Sequence, residues 1–160
     1  MPDRVCFIHA SRPRQPLWES KRTGVDLLKT YEMETGVRVI IYRFPNLFGK
    51  WCRPNYCSVV ATFYHNLARG LPITVNDPSS ELTLSYINDV VDEFRHVLDG
   101  QPAAEPTTHK ATLGRIVELL ESFRDSRVTL FVPDMSDPFI KKTSHDIPIL
   151  PTMRLVVISP

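Results

Sequence analysis

Glycine is scarce in this chain, and its few glycines are dispersed along the sequence. The six glycines are Gly24, Gly36, Gly49, Gly70, Gly100 and Gly114. A dinucleotide fingerprint of the G-x-G-x-x-G kind and a phosphate-binding P-loop both need several glycines within a few residues. The 160 residues therefore encode neither of these two loops in complete form.

An excess of charge of one sign is also missing. Lys and Arg total 19 and Asp and Glu total 18, so the net charge is +1. A protein whose main partner is nucleic acid or an anionic membrane carries a basic excess. The sequence therefore predicts neither partner. The apolar runs are too short to cross a membrane, and no signal peptide is visible, so we expect a cytoplasmic protein.

Cysteine is rare and has no metal-binding spacing. The three cysteines are Cys6, Cys52 and Cys57. An odd number of thiols is typical of a reduced, cytosolic protein. Cys52 and Cys57 would need further Cys or His ligands at a suitable spacing to hold zinc, and the sequence supplies none. No metal site is predicted.

The pattern at the start of the chain indicates a βαβ unit. Residues 4–9 are rich in β-forming side chains and predict a strand. Apolar side chains at helical spacing predict a helix over residues 18–34, followed by Gly36 at the position of a left-handed helix stop. Residues 37–42 predict a strand that is apolar on both faces, which is typical of a parallel sheet covered by helices. The fold class is therefore predicted to be α/β.

The rest of the chain alternates in the same way, with many loops. Helices are predicted over residues 58–68, 88–98 and 112–123, with Asn88 and Thr112 as caps and Asp89 in a first turn. Strands are predicted over residues 73–75 and 82–87. The pattern predicts a long loop over residues 43–55 and a poorly ordered tail over residues 134–160.

The long loop mixes a cation, an amide and aromatic side chains directly after the predicted buried strand. Ligands of open α/β sheets bind beyond the carboxyl ends of the strands. Arg43 and Asn46 in the segment YRFPNLFGKW (residues 42–51) are therefore candidate ligand-binding residues.

Several strings resemble one enzyme family. They are YRFPNLFGKW (42–51), PNY (54–56), SVVATF (58–63), ELTL (81–84) and TLGRIV (112–117). They resemble the extended short-chain dehydrogenases/reductases of the NAD-dependent epimerase/dehydratase family. The likeness is strongest to the subgroup of capsular-polysaccharide reductases that carry a C-terminal cupin. It covers residues 21–142 and implies a partial Rossmann-like, NAD(P)-binding fold, namely the C-terminal substrate-binding half of such an enzyme.

The resemblance implies a catalytic pair of which only one member is present. Lys21 matches the lysine of the family's Tyr-x-x-x-Lys pair, which binds the nicotinamide ribose and lowers the pKa of the tyrosine. That tyrosine exchanges a proton with the substrate. Leu17 stands at its position. Leucine has no proton to exchange, so the general acid/base is missing.

The resemblance also implies binding residues for a cofactor and a substrate. The main chain of Phe44 and Pro45 would lie beside the nicotinamide of NADP or NAD. The residues expected on the side of a UDP-sugar substrate are Arg43, Asn46, Asn55, Tyr56 and Ser58.

The expected function has two layers. Residues 1–133 resemble the C-terminal part of a sugar-nucleotide reductase, epimerase or dehydratase domain of capsular polysaccharide biosynthesis, which in the intact family reduces a 4-keto UDP-N-acetyl-hexosulose. We expect a fragment without the Gly-rich half and the cupin, inactive as it stands. Two alternatives stay open: a non-catalytic nucleotide-sugar binding module, and a half-domain that self-associates or pairs with a separately encoded Gly-rich half.

Overall fold

The fold is α/β, as predicted. The computed structural model describes residues 4–8, 17–56, 58–130 and 134–145. The elements in chain order are β1 (Arg4–Ile8), α1 (Leu17–Thr35), β2 (Val39–Arg43), β3 (Asn46–Phe48), α2 (Val59–Ala68), β4 (Glu81–Tyr86), α3 (Ile87–Leu98), β5 (Thr108–Thr112), α4 (Leu113–Thr129) and α5 (Pro138–His145). No helix within these ranges is both long and apolar enough to cross a membrane.

The predicted βαβ unit is confirmed. β1 and β2 pair in parallel, with Arg4 opposite Val39. Helix α1 joins them and ends at Gly36, whose φ of +67° is the left-handed conformation that glycine adopts at no steric cost. The backbone N–H of Val39 donates to Oε1 of Glu32 at 2.8 Å, so the end of the helix is tied to the start of the strand.

The second sheet has the order β3-β4-β5 and packs against helices α2 and α4. β3 is parallel to β4, and β5 is antiparallel to it. The buried side chains of this core include Phe48, Leu84, Ile116 and Leu120, which are almost completely inaccessible to solvent. The predicted cap at Thr112 is confirmed, because its Oγ1 accepts the N–H of Arg115.

Several local predictions differ from the structure. β3 lies within the predicted loop, and the predicted strand over residues 73–75 does not form. β5 was not predicted. Tyr86, not Asn88, occupies the N-cap of α3, and Asp89 lies in its first turn as expected. Residue 9 of the first predicted strand lies outside the described residues.

Residues 138–145 form helix α5 where the sequence predicts poor order. Ile140 is buried against Leu119 and Phe123 of α4. The hydroxyl of Tyr64 in α2 donates to the backbone carbonyl of Thr143 at 2.5 Å. The apolar content of this short helix is too small to give a clear period, but these contacts help to anchor it to the core. Residues 146–160 lie outside the described residues.

One glycine is required where β3 ends. Gly49 has a φ of +121°, and a Cβ built on it would lie 2.6 Å from Cγ2 of Ile87 and 3.0 Å from Cε2 of Tyr86. Both the backbone conformation and the lack of space would strain any other residue at this position. The chain therefore leaves the sheet in contact with the start of α3.

Candidate functional site

A cleft opens at the carboxyl end of β2, where the sequence predicts ligand binding. Its volume is about 210 Å³. One wall is the end of β2 with Arg43, Phe44 and Pro45, and the other is the connection over residues 103–106 that precedes β5. We call this space the β2-end cleft. Its position matches the edge at which open α/β sheets bind ligands.

The three residues at the end of β2 present different groups to the cleft. The Arg43 side chain is exposed and Pro45 is half-buried, whereas Phe44 is buried. The ring of Phe44 stacks on Tyr42, with 5.5 Å between their centroids. The Phe44 ring is therefore packed in the core. The β2-end cleft therefore offers a cation at Arg43 and main-chain groups at Phe44 and Pro45.

Glu93 of α3 holds the two walls of the β2-end cleft together. Its Oε1 accepts a hydrogen bond from the hydroxyl of Tyr42 at 2.5 Å and another from the backbone N–H of Ala104 at 2.7 Å. Burial raises the pKa of Tyr42 well above its usual value, and the hydrogen bond and negative charge of Glu93 raise it further. Tyr42 therefore remains a protonated donor at neutral pH.

Glu93 was not predicted as a site residue, although the sequence contains a signal for it. Glu93 lies on α3 between Val90 and Val97, at the helical spacing that brings all three to one side. Both valines are buried against β2. A carboxylate on an otherwise apolar helix face is unusual and indicates a specific partner.

Asn46 lies at the start of β3, next to the β2-end cleft along the chain. Its side chain is exposed, and its amide Nδ2 donates to the backbone carbonyl of Thr83 at 3.3 Å. This bond holds the side chain against the neighbouring strand β4. A primary amide has a second N–H and a carbonyl oxygen with which it can also bind a ligand.

Asn55, Tyr56 and Ser58 lie at the entrance to α2, and none of them lines the β2-end cleft. Asn55 has a φ of +56°, and its N–H donates to Oγ1 of Thr62 at 2.9 Å. Tyr56 is exposed, with the guanidinium of Arg53 5.8 Å from its ring centroid. Ser58 caps α2, because its Oγ accepts the N–H of Ala61 at 3.3 Å. The hydroxyl of Ser58 therefore has a structural function.

Lys21 is half-buried on α1. Leu17 is the first residue of that helix, so the two residues lie one turn apart on the same side. The family resemblance leads us to expect a Tyr-x-x-x-Lys pair at these two positions, where the sequence has leucine instead of tyrosine. Lys21 is not one of the residues that line the β2-end cleft.

A second charged cluster, also missed from the sequence, joins α5 to α3 and β5. Nζ of Lys142 lies 2.5 Å from Oδ2 of Asp89 and 3.4 Å from Nε2 of His109. Burial lowers the pKa of His109, and the positive charge of Lys142 lowers it further, against opposing effects of Asp89 and Asp137. Asp89 and Lys142 are far apart in the sequence, and no local pattern links them.

Across the described residues no group of three or more His, Cys, Asp or Glu side chains could hold a metal ion.

The comparisons with known proteins agree on one family. The family model described as "NAD dependent epimerase/dehydratase family" matches residues 5–112. A UDP-2-acetamido-2,6-beta-L-arabino-hexul-4-ose reductase of Pseudomonas aeruginosa is 44% identical over 117 residues, which are 69% of this chain and 31% of that protein. This chain thus spans about a third of the length of that relative.

Solved structures give the same result. The capsular polysaccharide assembling protein CapF from Staphylococcus aureus matches with a TM-score of 0.79 and 45% identity, over 83% of this chain and 38% of that one. The UDP-glucose 4-epimerase of Thermus thermophilus, solved in complex with NAD, matches with a TM-score of 0.58 and 22% identity, over 70% of this chain and 39% of that one. The second likeness concerns the fold alone.

The resemblance inferred from YRFPNLFGKW and its neighbouring strings is therefore confirmed. The family model covers well over half of the chain, and the similar reductase shares 44% of the aligned residues. The chain belongs to the NAD-dependent epimerase/dehydratase family.

Proposed function

We propose that this chain is the C-terminal, substrate-binding part of an NAD(P)-dependent enzyme that acts on a UDP-sugar during capsular or other surface polysaccharide synthesis. The observation that carries the proposal is the β2-end cleft, with the exposed cation of Arg43, main-chain groups at Phe44 and Pro45, and the amide of Asn46 next to it. The names of the similar proteins support this substrate class, since one is a UDP-hexulose reductase and another assembles capsular polysaccharide.

Each residue has a proposed task in binding. The guanidinium of Arg43 neutralises charge on the diphosphate, because a planar cation forms strong charge-assisted bonds to phosphate oxygens. The amide of Asn46 orients the same group. Asn55 and Tyr56 bind the sugar side, with the exposed ring of Tyr56 as a flat surface. The proposed substrate is a 4-keto UDP-N-acetyl-hexosulose. Ser58 acts indirectly by capping the helix behind them.

The chain meets only part of the requirements of NADP or NAD. The nicotinamide supplies the hydride when it is bound. Lys21 and the main chain of Phe44 and Pro45 are the residues proposed to hold its nicotinamide end. The 160 residues contain no glycine-rich loop for the pyrophosphate, and Leu17 stands one turn before Lys21. We therefore propose that these 160 residues, a fragment of the family's enzyme, bind substrate without turnover.

The setting we propose is the cytoplasm. Cys52 carries a free thiol in the structure. Reduced cysteines are typical of that compartment, so the thiol supports the proposal.

Binding of a stable nucleotide sugar tests this proposal. Isothermal titration of the chain with UDP-N-acetylglucosamine should give a saturable heat. Arg43→Gln together with Asn46→Ala should weaken binding by about tenfold or more, because a charge-assisted bond and a neutral bond are lost. Arg95→Gln is the matched control, since Arg95 is an exposed arginine on α3 outside the β2-end cleft.

Two results would contradict the proposal. Flat titrations with the unmodified chain would exclude nucleotide-sugar binding. Consumption of NADPH by the purified chain in the presence of a 4-keto sugar nucleotide would exclude the proposed lack of turnover.

A second candidate function is that of a half-domain completed by a separately encoded Gly-rich half. One observation favours it: among the described residues, β1 pairs with β2 and with no other strand. Two-stranded parallel sheets are rarely stable alone, since parallel sheets occur almost only as larger, covered sheets. A further strand beside β1 would extend the sheet. Light scattering coupled to size-exclusion chromatography would show whether the chain pairs with itself instead, and a monomer would exclude self-association.

A further inference from the structure

A second cleft lies between the loop that follows β3 and helix α2, away from the β2-end cleft. Its volume is about 210 Å³. Gly49, Lys50, Trp51, Cys52 and Pro54 form one wall, and Ala61, Tyr64, His65, Ala68 and Arg69 form the other. We call it the loop–α2 cleft. It shares no lining residue with the β2-end cleft, and none of the candidate catalytic or binding residues named from the sequence lines it.

The loop–α2 cleft lies in a segment of the chain that has no acidic residue. Residues 35–76 contain five Lys and Arg residues and no Asp or Glu, although the whole chain is almost neutral. Two of these five cations, Lys50 and Arg69, line the cleft and are exposed. None of the residues lining it carries a carboxylate. Local positive charge without a built-in counter-ion favours an anionic ligand.

His65 adds a further donor. Nη1 of Arg69 lies 2.9 Å from Nδ1 of His65. A guanidinium can only donate, so Nδ1 of His65 must accept, and a neutral His65 then carries its proton on Nε2. The pair holds the arginine at the rim of the cleft. It also leaves an imidazole N–H for an oxygen acceptor.

Trp51 supplies a flat surface beside these donors. Its side chain is 97% exposed, and its φ of +67° is unusual for any residue other than glycine. Strained backbone and an exposed indole both carry a cost, and strain of this kind clusters at ligand-binding sites. An exposed indole beside cations is the combination that binds nucleotides, in which the base stacks and the phosphates pair.

We propose that the loop–α2 cleft binds a nucleotide, with Lys50 and Arg69 on its phosphate groups and the indole of Trp51 stacked on its base. The ligand chemistry is a nucleoside diphosphate. This nucleoside diphosphate is either a free nucleotide or the nucleotide part of a nucleotide sugar. This site is additional to the β2-end cleft, and its residues are different.

Trp51 fluorescence provides the test. The chain has two tryptophans, so Trp18→Phe leaves Trp51 as the reporter in the full chain. UDP is expected to quench this emission with an affinity that falls as KCl is added. Lys50→Glu together with Arg69→Glu should weaken UDP binding by about tenfold or more, since two charge-assisted contacts are lost. Lys29→Glu together with Arg95→Glu, which reverses two exposed cations on α1 and α3 outside the cleft, is the charge-matched control and should leave the affinity unchanged.

Substitution of Trp51 separates the contribution of stacking to UDP binding from that of charge. Trp51→Ala should weaken the binding of UDP by about fivefold or more while leaving the binding of inorganic pyrophosphate unchanged, both followed by calorimetry.

Cys52 lines the same cleft with a free thiol. Bound UDP should therefore slow its alkylation, as followed by peptide mass spectrometry. Circular dichroism confirms that each variant is folded.

The outcomes distinguish this site from the proposed function. UDP-N-acetylglucosamine that binds here as tightly as UDP identifies a nucleotide sugar as the source, and weaker binding identifies a free nucleotide. If binding depends on Arg43 and Asn46 but not on Lys50 and Arg69, this inference is wrong and the proposed function stands. The reverse dependence supports this site and contradicts the proposed function. Absence of any quenching overturns the inference.

Discussion

Helices α1 and α4 are nearly equal in length, at 19 and 17 residues, yet their surroundings differ. Among its described side chains α4 buries four apolar ones in the core, namely Ile116, Leu119, Leu120 and Phe123. α1 buries none of its described side chains, and it exposes Leu27 by 65% and Met33 by 79%. Both helices show apolar residues at helical spacing in the sequence. Periodicity thus indicates that a helix has an apolar side, but it does not tell what covers that side.

The two helices belong to two parts of the molecule that differ in how many elements cover their sheets. α4 belongs to a part in which two helices and a three-stranded sheet share one core. α1 belongs to the β1-α1-β2 unit, whose sheet has two strands among the described residues. The first part has helices of its own on its core, whereas the end of β2 packs against α3.

Replacing one leucine in each helix by alanine should give the largest difference in the free energy of unfolding. Leu120→Ala removes a fully buried side chain and should lower the free energy of unfolding by about 2–5 kcal/mol. Leu27→Ala on α1 should change it by less than about 0.5 kcal/mol. Urea unfolding followed by circular dichroism measures both. A cost for Leu27→Ala equal to that of Leu120→Ala would show that α1 is covered in solution, for example by a second copy.

The ion pair that holds α5 to α3 should give an intermediate effect. The side chains of Lys142 and Asp89 are 22% and 23% exposed. Lys142→Met should therefore lower the free energy of unfolding by about 1–3 kcal/mol, between the values for exposed and buried pairs.

Two controls accompany this change. Lys110→Met breaks an exposed ion pair with Glu81 and should cost about 0–1 kcal/mol. Asp89→Asn in the Lys142→Met background should restore part of the loss, because it removes the charge left without its partner. If Lys142→Met costs no more than Lys110→Met, α5 is not held by this pair.

The smallest effect concerns pH. The folded protein lowers the pKa of His109 below its ordinary value of 6.5, first through burial and then through Lys142. The unfolded chain therefore binds more protons than the folded one as the pH falls below that value, and stability decreases in that range. His109→Gln should reduce this decrease, as measured by thermal unfolding at a series of pH values. If the stability of His109→Gln falls with pH as steeply as that of the unmodified chain, groups other than His109 cause the decrease.

Much of the fold follows from local signals in the sequence. Helix ends coincide with glycines of positive φ at Gly36, Gly70 and Gly100, and the βαβ unit follows from apolar runs. The strands β3 and β5 escape prediction because one has three residues and the other, THKAT, is polar. Their strand form depends on pairing with β4. Residues 73–75 show the converse, since β-forming side chains without a partner do not form a strand.

The candidate site divides in the same way. The position of Arg43 and Asn46 at the carboxyl end of a parallel strand could be predicted, because this edge of a sheet is defined by chain direction. The contacts of Glu93 with Tyr42 and of Lys142 with Asp89 could not, since each joins residues more than fifty positions apart. Such pairs depend on the packing of whole elements, and no local pattern specifies that.

Gly49 has a consequence for how this chain can change. A Cβ at this position would meet Ile87 and Tyr86, so a substitution at the point where the loop leaves the sheet would strain the backbone and displace these side chains. The loop side chains that follow it, Lys50 and Trp51, are exposed and have no such packing constraint. Ligand preference can therefore diverge among relatives by substitution immediately after Gly49, while the sheet and the start of α3 stay the same.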